Sequence, residues 1–436
     1  MQAFVAITEG EENPLTTHVY KKRRRARACT ACDLVCLLPV LRPGEQANCA
    51  RCRHVLARRH LHPVQRSIAL AITALISLLI AVTFPFIGVE AGSLDNQILI
   101  GQTAEALLIL HQPLVATIVA VTVIVLPALY LAGVIMMQAG MLRDIQRDYS
   151  DPIARTFTKL HPWMMADVFI IAALVSLVKL VGMAEVHLGV SFWAYCLFAI
   201  LLLMTTRSVD TGWLWCSLAG EPAPPANLRF GISAAAQQMT GCPTCGLINS
   251  LSASGTGKCV RCGDRLHLRK QQSLQRTLAL LFTGVVLYIP ANTYPMMITT
   301  SFGQSHSATI IGGMIEFWKS GSQPIAVIIF VASILVPVLK MLTLILLSWA
   351  VYQGAATHAL HKTRLYHLTE LIGRWSMVDV FVVAIMVALI QSGNLMSITP
   401  GPAALAFCAV VVITMLAAMA FDPRLIWDSQ GNRHES

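Results

Sequence analysis

Five long stretches of the chain, 67–89, 106–142, 186–206, 277–315 and 380–421, contain no Asp, Glu, Lys or Arg. A helix needs about 20 apolar residues to cross a bilayer core, so several of these stretches are long enough for two crossings. The pattern predicts eight spans, at 67–89, 112–139, 163–185, 188–206, 274–295, 322–350, 374–393 and 401–421. Lys and Arg gather in the segments up to residue 66, 140–162, 207–273, 351–373 and from 422 onward, whereas the opposing loops hold one cation, Lys319. By the positive-inside rule both termini are cytoplasmic.

Composition supports this reading. The 436 residues are 56% hydrophobic and 12% charged, with a mean hydropathy of +0.64. A soluble domain usually carries about 25% charged residues, so an ordinary soluble enzyme is excluded. The formal charge of +10 is accounted for by membrane orientation rather than by nucleic-acid binding. Residues 1–27 are polar and end in a basic run with no apolar stretch, so they are not expected to be a signal peptide.

The chain also repeats itself. Trp163, Asp167 and Phe169 return as Trp375, Asp379 and Phe381, and Pro127 returns as Pro337. Thr83 and Pro85 return as Thr293 and Pro295, and Asp210 and Trp215 as Asp422 and Trp427. Four spans per copy keep both copies in the same orientation. The predicted fold is an all-α polytopic membrane protein of two parallel four-helix repeats, each preceded by a small cytoplasmic zinc-ribbon-like domain.

Those small domains come from cysteine spacing. Cys29, Cys32, Cys49 and Cys52 form one set, and Cys242, Cys245, Cys259 and Cys262 the other. Paired Cys-x2-Cys turns aim four thiolates at one metal, and domains this small need such a centre to fold. Structural zinc is the expected metal; iron in a rubredoxin-like site uses the same ligands. Disulfides are disfavoured on the reducing side of the membrane. Arg51, Arg53, Arg261 and Arg265, between or beside the ligands, are read as a solvated or lipid-facing surface.

The resulting domain plan is a basic tail (1–27), a first ribbon (28–62), a first repeat (63–216) and a linker (217–238). A second ribbon (239–270), a second repeat (271–428) and a C-terminal tail (429–436) follow. No phosphate-binding loop, haem-ligand pair, metalloprotease motif or nucleophile turn occurs in the sequence, so no enzymatic activity is expected. Asp167, Lys179, Lys340 and Asp379 fall within predicted spans, and Ser333 lies two turns before Lys340 on the same face. Charge at membrane depth is costly, so these residues are assigned to a polar intramembrane network or transport route.

In combination, several motifs resemble the paraquat-inducible protein A family, which also includes LetA. They are both cysteine sets, Leu287-Tyr288-Ile289-Pro290-Ala291-Asn292, the run from Ala332 through Pro337 to Lys340, the run from Gly373 through Trp375 to Phe381, and the run from Phe421 through Asp422 to Asp428. The run from Val175 to Leu180 resembles the paraquat-inducible branch; LetA-type chains carry an acid three positions after Lys179, where this chain has Gly182. The resemblance implies an inner-membrane subunit of a Gram-negative lipid-transport system. It would load or unload phospholipid at the base of a conduit built by an MCE-domain periplasmic protein (PqiB- or LetB-like), with an outer-membrane lipoprotein as a further partner. The competing expectation is a membrane redox protein or metal-dependent redox sensor using the cysteine clusters.

Overall fold

A computed structural model describes residues 25–60, 63–91, 94–142, 154–156, 158, 160–180, 185–301, 304–321, 323–354, 358–390 and 396–431. The chain divides into two compact units. One combines Met1–Leu61 with Asp210–Leu266, and the other His62–Val209 with His267–Ser436.

Among the described residues of the second unit, eight helices are long and apolar enough to cross a membrane. They are Pro63–Thr83, Pro113–Gly140, His161–Val178, Val190–Ser208, Ser273–Thr293, Ala326–Tyr352, Ala359–Leu389 and Pro402–Asp428. The first helix of each repeat packs along the fourth: Pro63–Thr83 against Val190–Ser208, and Ser273–Thr293 against Pro402–Ala420. The third helices of the two repeats, Ala166–Leu180 and Val378–Ile390, pack against each other. Apolar side chains point outward from most spans, as lipid-facing helices require, Phe282 and Ile289 among them.

Proline shapes both copies alike. A proline ring lacks the N–H donor and crowds the carbonyl four residues back, which a widened turn relieves. Widened π turns occur at Val121–Val125, just before Pro127, and at Phe330–Leu335, just before Pro337.

The first span ends at Thr83, short of the predicted 89, because the chain turns extended at Pro85 and forms a strand, Ile87–Ala91. That strand pairs antiparallel with Leu94–Ile98 on one side and with Glu185–Leu188 on the other. The second copy repeats the arrangement with Met297–Ser301 between Gln304–Ala308 and Met396–Pro400. Each small sheet joins the end of a repeat's first span to the start of its fourth. Gly189 and Gly401 make that junction possible: a Cβ on either would lie 2.0 Å from the carbonyl oxygen of Pro85 or Pro295. Their amides donate to Phe86 O (3.1 Å) and Met296 O (2.9 Å).

At the other end of the second repeat, polar groups tie span to span. Ser273 Oγ donates to Ala420 O and accepts from the Asp422 amide, both at 2.9 Å. Lys270 Nζ donates to the terminal carbonyls of Met419 and Phe421, at 2.6 and 3.1 Å. The Arg424 guanidinium holds the Asp422 carboxylate at 2.9 Å.

Candidate functional site

Each cysteine pair sits in the same backbone turn between two short strands. The amide four residues after the first cysteine donates back to its carbonyl: Asp33 to Cys29, Arg53 to Cys49, Gly246 to Cys242 and Gly263 to Cys259. The turn puts that fourth residue in the left-handed region, with φ of 61°, 63°, 73° and 67° respectively. Glycine adopts this conformation freely, which is why Gly246 and Gly263 follow the second set's pairs; the first set uses Asp33 and Arg53 at a steric cost.

The turns bring the sulfurs into two closed groups. Within each set the four Sγ atoms lie within 4.8 Å of one another. Cys29–Cys52 and Cys32–Cys49 approach to 3.4 and 3.5 Å, and Cys242–Cys262 and Cys245–Cys259 each to 3.5 Å. Zinc–sulfur bonds of about 2.3 Å place tetrahedral sulfurs about 3.8 Å apart, so the donor sets fit a tetrahedral dication. All eight residues are at most 8% exposed. Such burial suits holding a metal rather than exchanging electrons with a partner.

The two sets share one unit and one small core. Ala26, Val35, Ala234, Met239 and Ile248 pack together, drawing on both sides of the first membrane repeat. The segment read from sequence as a linker supplies part of the seam. Ile232 O accepts from the Val35 amide (3.0 Å), the Gly231 amide donates to Val35 O (3.0 Å), and Asp33 Oδ2 accepts from the Ala235 amide (3.0 Å).

Glu221, from the same segment, closes the seam electrostatically. It accepts from Arg27 Nη1 at 2.8 Å and also from Arg261 Nη2. Burial works to raise its carboxyl, but the Arg27 hydrogen bonds and the charges of Arg27, Arg261 and Arg25 hold it below the ordinary value. Arg261 is thus buried in an ion triad, which corrects its assignment to a solvated or lipid-facing surface.

In the membrane unit, the sequence-assigned polar residues lie on three spans. Asp167 and Asp379 lie in the first turns of the two third helices, Asp167 half-buried and Asp379 buried. Lys179 falls on Ala166–Leu180, and its side chain lies outside the described residues. Ser333 and Lys340 are both buried, the former in a widened turn.

Comparison of the copies, position by position, finds what individual motifs did not. Tyr288, Asn292, Ser333, Lys340 and Thr414 in the second repeat replace Leu78, Val82, Val123, Tyr130 and Leu202 in the first. All ten are buried or partly buried. The first repeat also holds an aromatic cluster: Phe86 meets Phe169, Phe192 and Tyr195, and Tyr195 meets Phe169 and Phe198, in tilted or edge-on contacts with centroids 5.3–6.3 Å apart. At these five positions the second repeat is the more polar copy, and it alone places a lysine there.

The surroundings differ too. Helix Ile100–Ile109 packs on Val378–Ile390, and every described side chain from Met377 to Leu389 is buried. The second-repeat counterpart, Ile310–Lys319, leaves Ile311, Ile315 and Trp318 exposed, and the third helix of the first repeat exposes Leu174 and Val178.

The Paraquat-inducible protein A family matches residues 64–219 and again 274–430. The chain is 36% identical over 402 residues to the intermembrane transport protein PqiA of Escherichia coli strain K12, covering 92% of this chain and 95% of that one. It is 28% identical over 405 residues to a probable intermembrane transport protein of Haemophilus influenzae, covering 92% and 95%. It is also 28% identical over 412 residues to lipophilic envelope-spanning tunnel protein A of Escherichia coli strain K12, covering 94% and 91%. No solved structure matches the chain.

Proposed function

The chain belongs to the paraquat-inducible protein A family, and from that premise we propose that it is the integral inner-membrane subunit of an MCE-type intermembrane lipid transport system. It loads or unloads phospholipid at the base of a periplasm-spanning conduit and thereby supports envelope integrity under stress. It does so without enzymatic turnover. Intermembrane transport is what the names of its relatives state. The MCE-domain conduit protein as partner, with an outer-membrane lipoprotein, rests on the family resemblance.

The observation that carries the lipid reading is the buried lysine of the second repeat, Lys340, at the position where the first repeat has Tyr130. A buried lysine on a membrane helix is costly unless something compensates it. Lys340 is 4% exposed, and among the described residues no carboxylate forms an ion pair with it. A phospholipid entering beside the exposed face of Ile310–Lys319 brings a phosphate to that ammonium, with Ser333 and Thr414 as hydroxyl partners, while its tails stay on apolar span surfaces. Lys179, Asp167 and Asp379 extend the polar route in this reading.

The cysteine clusters hold one structural zinc each in this reading. Cys29, Cys32, Cys49 and Cys52 bind one ion, and Cys242, Cys245, Cys259 and Cys262 the other. The metal supplies folding free energy to a unit with little apolar core.

Mass spectrometry of lipids and proteins that co-purify with the intact chain tests substrate and partner together. Phospholipid retained by wild type and lost from Lys340→Ala is the expected result. Full complementation of an envelope-stress phenotype by Lys340→Ala at normal membrane abundance overturns the role. Orientation is checked separately: cysteine tags at Gly92 and Ser397 should react with impermeant reagents from the periplasm, and tags at Gly231 and Ser436 should not.

A further inference from the structure

We propose that Gly373 is the positioning residue of Lys340, its missing side chain opening the slot in which the ammonium lies. The inference deepens, and rests on, the reading of Lys340 as a transport residue. A Cβ built on Gly373 would lie 2.9 Å from both Cε and Nζ of Lys340 and 3.3 Å from Cδ. Those distances are shorter than any ordinary carbon contact. The lysine head therefore occupies the space that any other residue at 373 would fill.

Backbone geometry does not explain the glycine. Its φ is −60° and its ψ −24°, ordinary right-handed values that every L-residue adopts. It ends the helix Ala359–Gly373, where alanine gives a firmer helix than glycine. No left-handed cap is formed here, so space is the remaining demand.

The first repeat provides an internal control. Tyr130 and His161 stand where the second repeat has Lys340 and Gly373, by the same alignment that pairs Pro127 with Pro337 and Trp163 with Trp375. Their rings meet edge on with centroids 6.3 Å apart. The two positions are packing partners in both copies. A large pair fills the contact in one copy, and a lysine lying in the space left by a glycine fills it in the other.

The slot lies where one helix ends. The last carbonyls of an α-helix carry a partial negative charge worth about half an electron, and Gly373 ends a 15-residue helix. Broken membrane helices place such ends against cations. Here the span breaks into a 3₁₀ turn, Arg374–Met377, immediately after Gly373. Gly373 thus gives the ammonium room beside the end of that helix. An incoming phosphate then meets a cation with which, among the described residues, no carboxylate forms an ion pair.

Gly373→Ala tests this without touching charge. The clash falls on the far end of a flexible side chain, so the backbone can stay in place while the ammonium swings out. The reactivity of Lys340 toward reductive methylation, read by peptide mass spectrometry on intact protein in nanodiscs against the exposed Lys319 as internal reference, should rise several-fold. Gly313→Ala, whose Cβ meets nothing within 4 Å, should leave it unchanged. In cells, Gly373→Ala should lose complementation as Lys340→Ala does, and should add no further loss in a Lys340→Ala background.

Unchanged Lys340 reactivity in Gly373→Ala overturns the positioning role. Raised reactivity with full complementation by both single variants leaves the positioning intact and overturns the transport reading instead. Raised reactivity with only Lys340→Ala inactive shows that the position of the ammonium does not matter, which overturns its functional part. If Gly373→Ala lowers abundance, the pair swap decides. Gly373→His alone should fail to fold, and Gly373→His with Lys340→Tyr should recover monodisperse protein that remains inactive. A swap that recovers nothing overturns the packing partnership.

Discussion

Phe169 and Phe381, the same position in the two copies, meet each other edge to face with ring centroids 5.7 Å apart. Both are fully buried. A residue touching its own counterpart marks the pseudo-symmetry axis of the duplication, as in a two-fold interface where one patch meets itself. The two repeats, which differ at Tyr130 and Lys340, are built around this shared centre.

Truncating either ring should open a cavity on that axis and cost about 3–5 kcal/mol of stability. The double variant Phe169→Ala with Phe381→Ala should cost less than the sum, by the roughly 0.5–1.5 kcal/mol that an aromatic pair adds beyond burial. Denaturation of the four proteins in detergent measures the cycle, and strict additivity would show the contact to be incidental.

Purified protein should be colourless and carry two zinc ions per chain. Cys245→Ser should remove one of them and raise protease cleavage in both 25–60 and 210–266, because the two clusters share the Ala26–Met239 core. Cleavage confined to the second cluster would argue that the ribbons fold independently.

Glu221→Gln should destabilise the cysteine unit at neutral pH by roughly 3 kcal/mol, since it weakens the partner of a buried guanidinium. A carboxyl whose folded pKa is depressed contributes fully above its ordinary value, 4.5 for glutamate, and loses that contribution as pH falls through the lower folded value. The gap between wild type and variant should therefore be widest near pH 7 and narrow below about 4.5. Thermal melts across pH check the sign, and a gap that widens on acidification contradicts it.

Gly189→Ala and Gly401→Ala should each abolish stable membrane accumulation. The added carbon would meet a backbone carbonyl at 2.0 Å, which no rotamer change relieves; overpacking of this kind costs about 3 kcal/mol or more. Size-exclusion profiles of fluorescent fusions report the loss directly.

Arg53→Gly runs the other way. Arg53 holds φ of 63° in an otherwise glycine-suited turn, so glycine there should stabilise the unit by about 1 kcal/mol. A lower melting temperature for the variant would show that the arginine side chain compensates its backbone.

Much of this architecture is legible in sequence because its causes are local. Exclusion of Lys and Arg from 67–89 follows from the bilayer, and the spacing of Cys242 and Cys245 from one knuckle turn. What is not legible depends on distant pairing. Ile87–Ala91 reads as the tail of an apolar span, yet its partner Glu185–Leu188 lies beyond two further spans, and no periodicity announces the match. Glu221 reads as one acid in a proline-rich linker until Arg27 and Arg261 are placed around it. Gly373 opens a recognisable motif, but its role is visible only where the lysine head lies against it.

The interleaving of the cysteine unit has a consequence for synthesis. Ala26 and Val35 emerge from the ribosome with the first cysteine set, but Ala234, Met239 and Ile248 follow only after four spans have been translated. The first cysteine set is complete early; its apolar side stays bare until the second set arrives. Maturation of this unit is therefore timed by insertion of the first repeat, and a chain stalled after its fourth helix displays an uncovered patch that a finished chain hides.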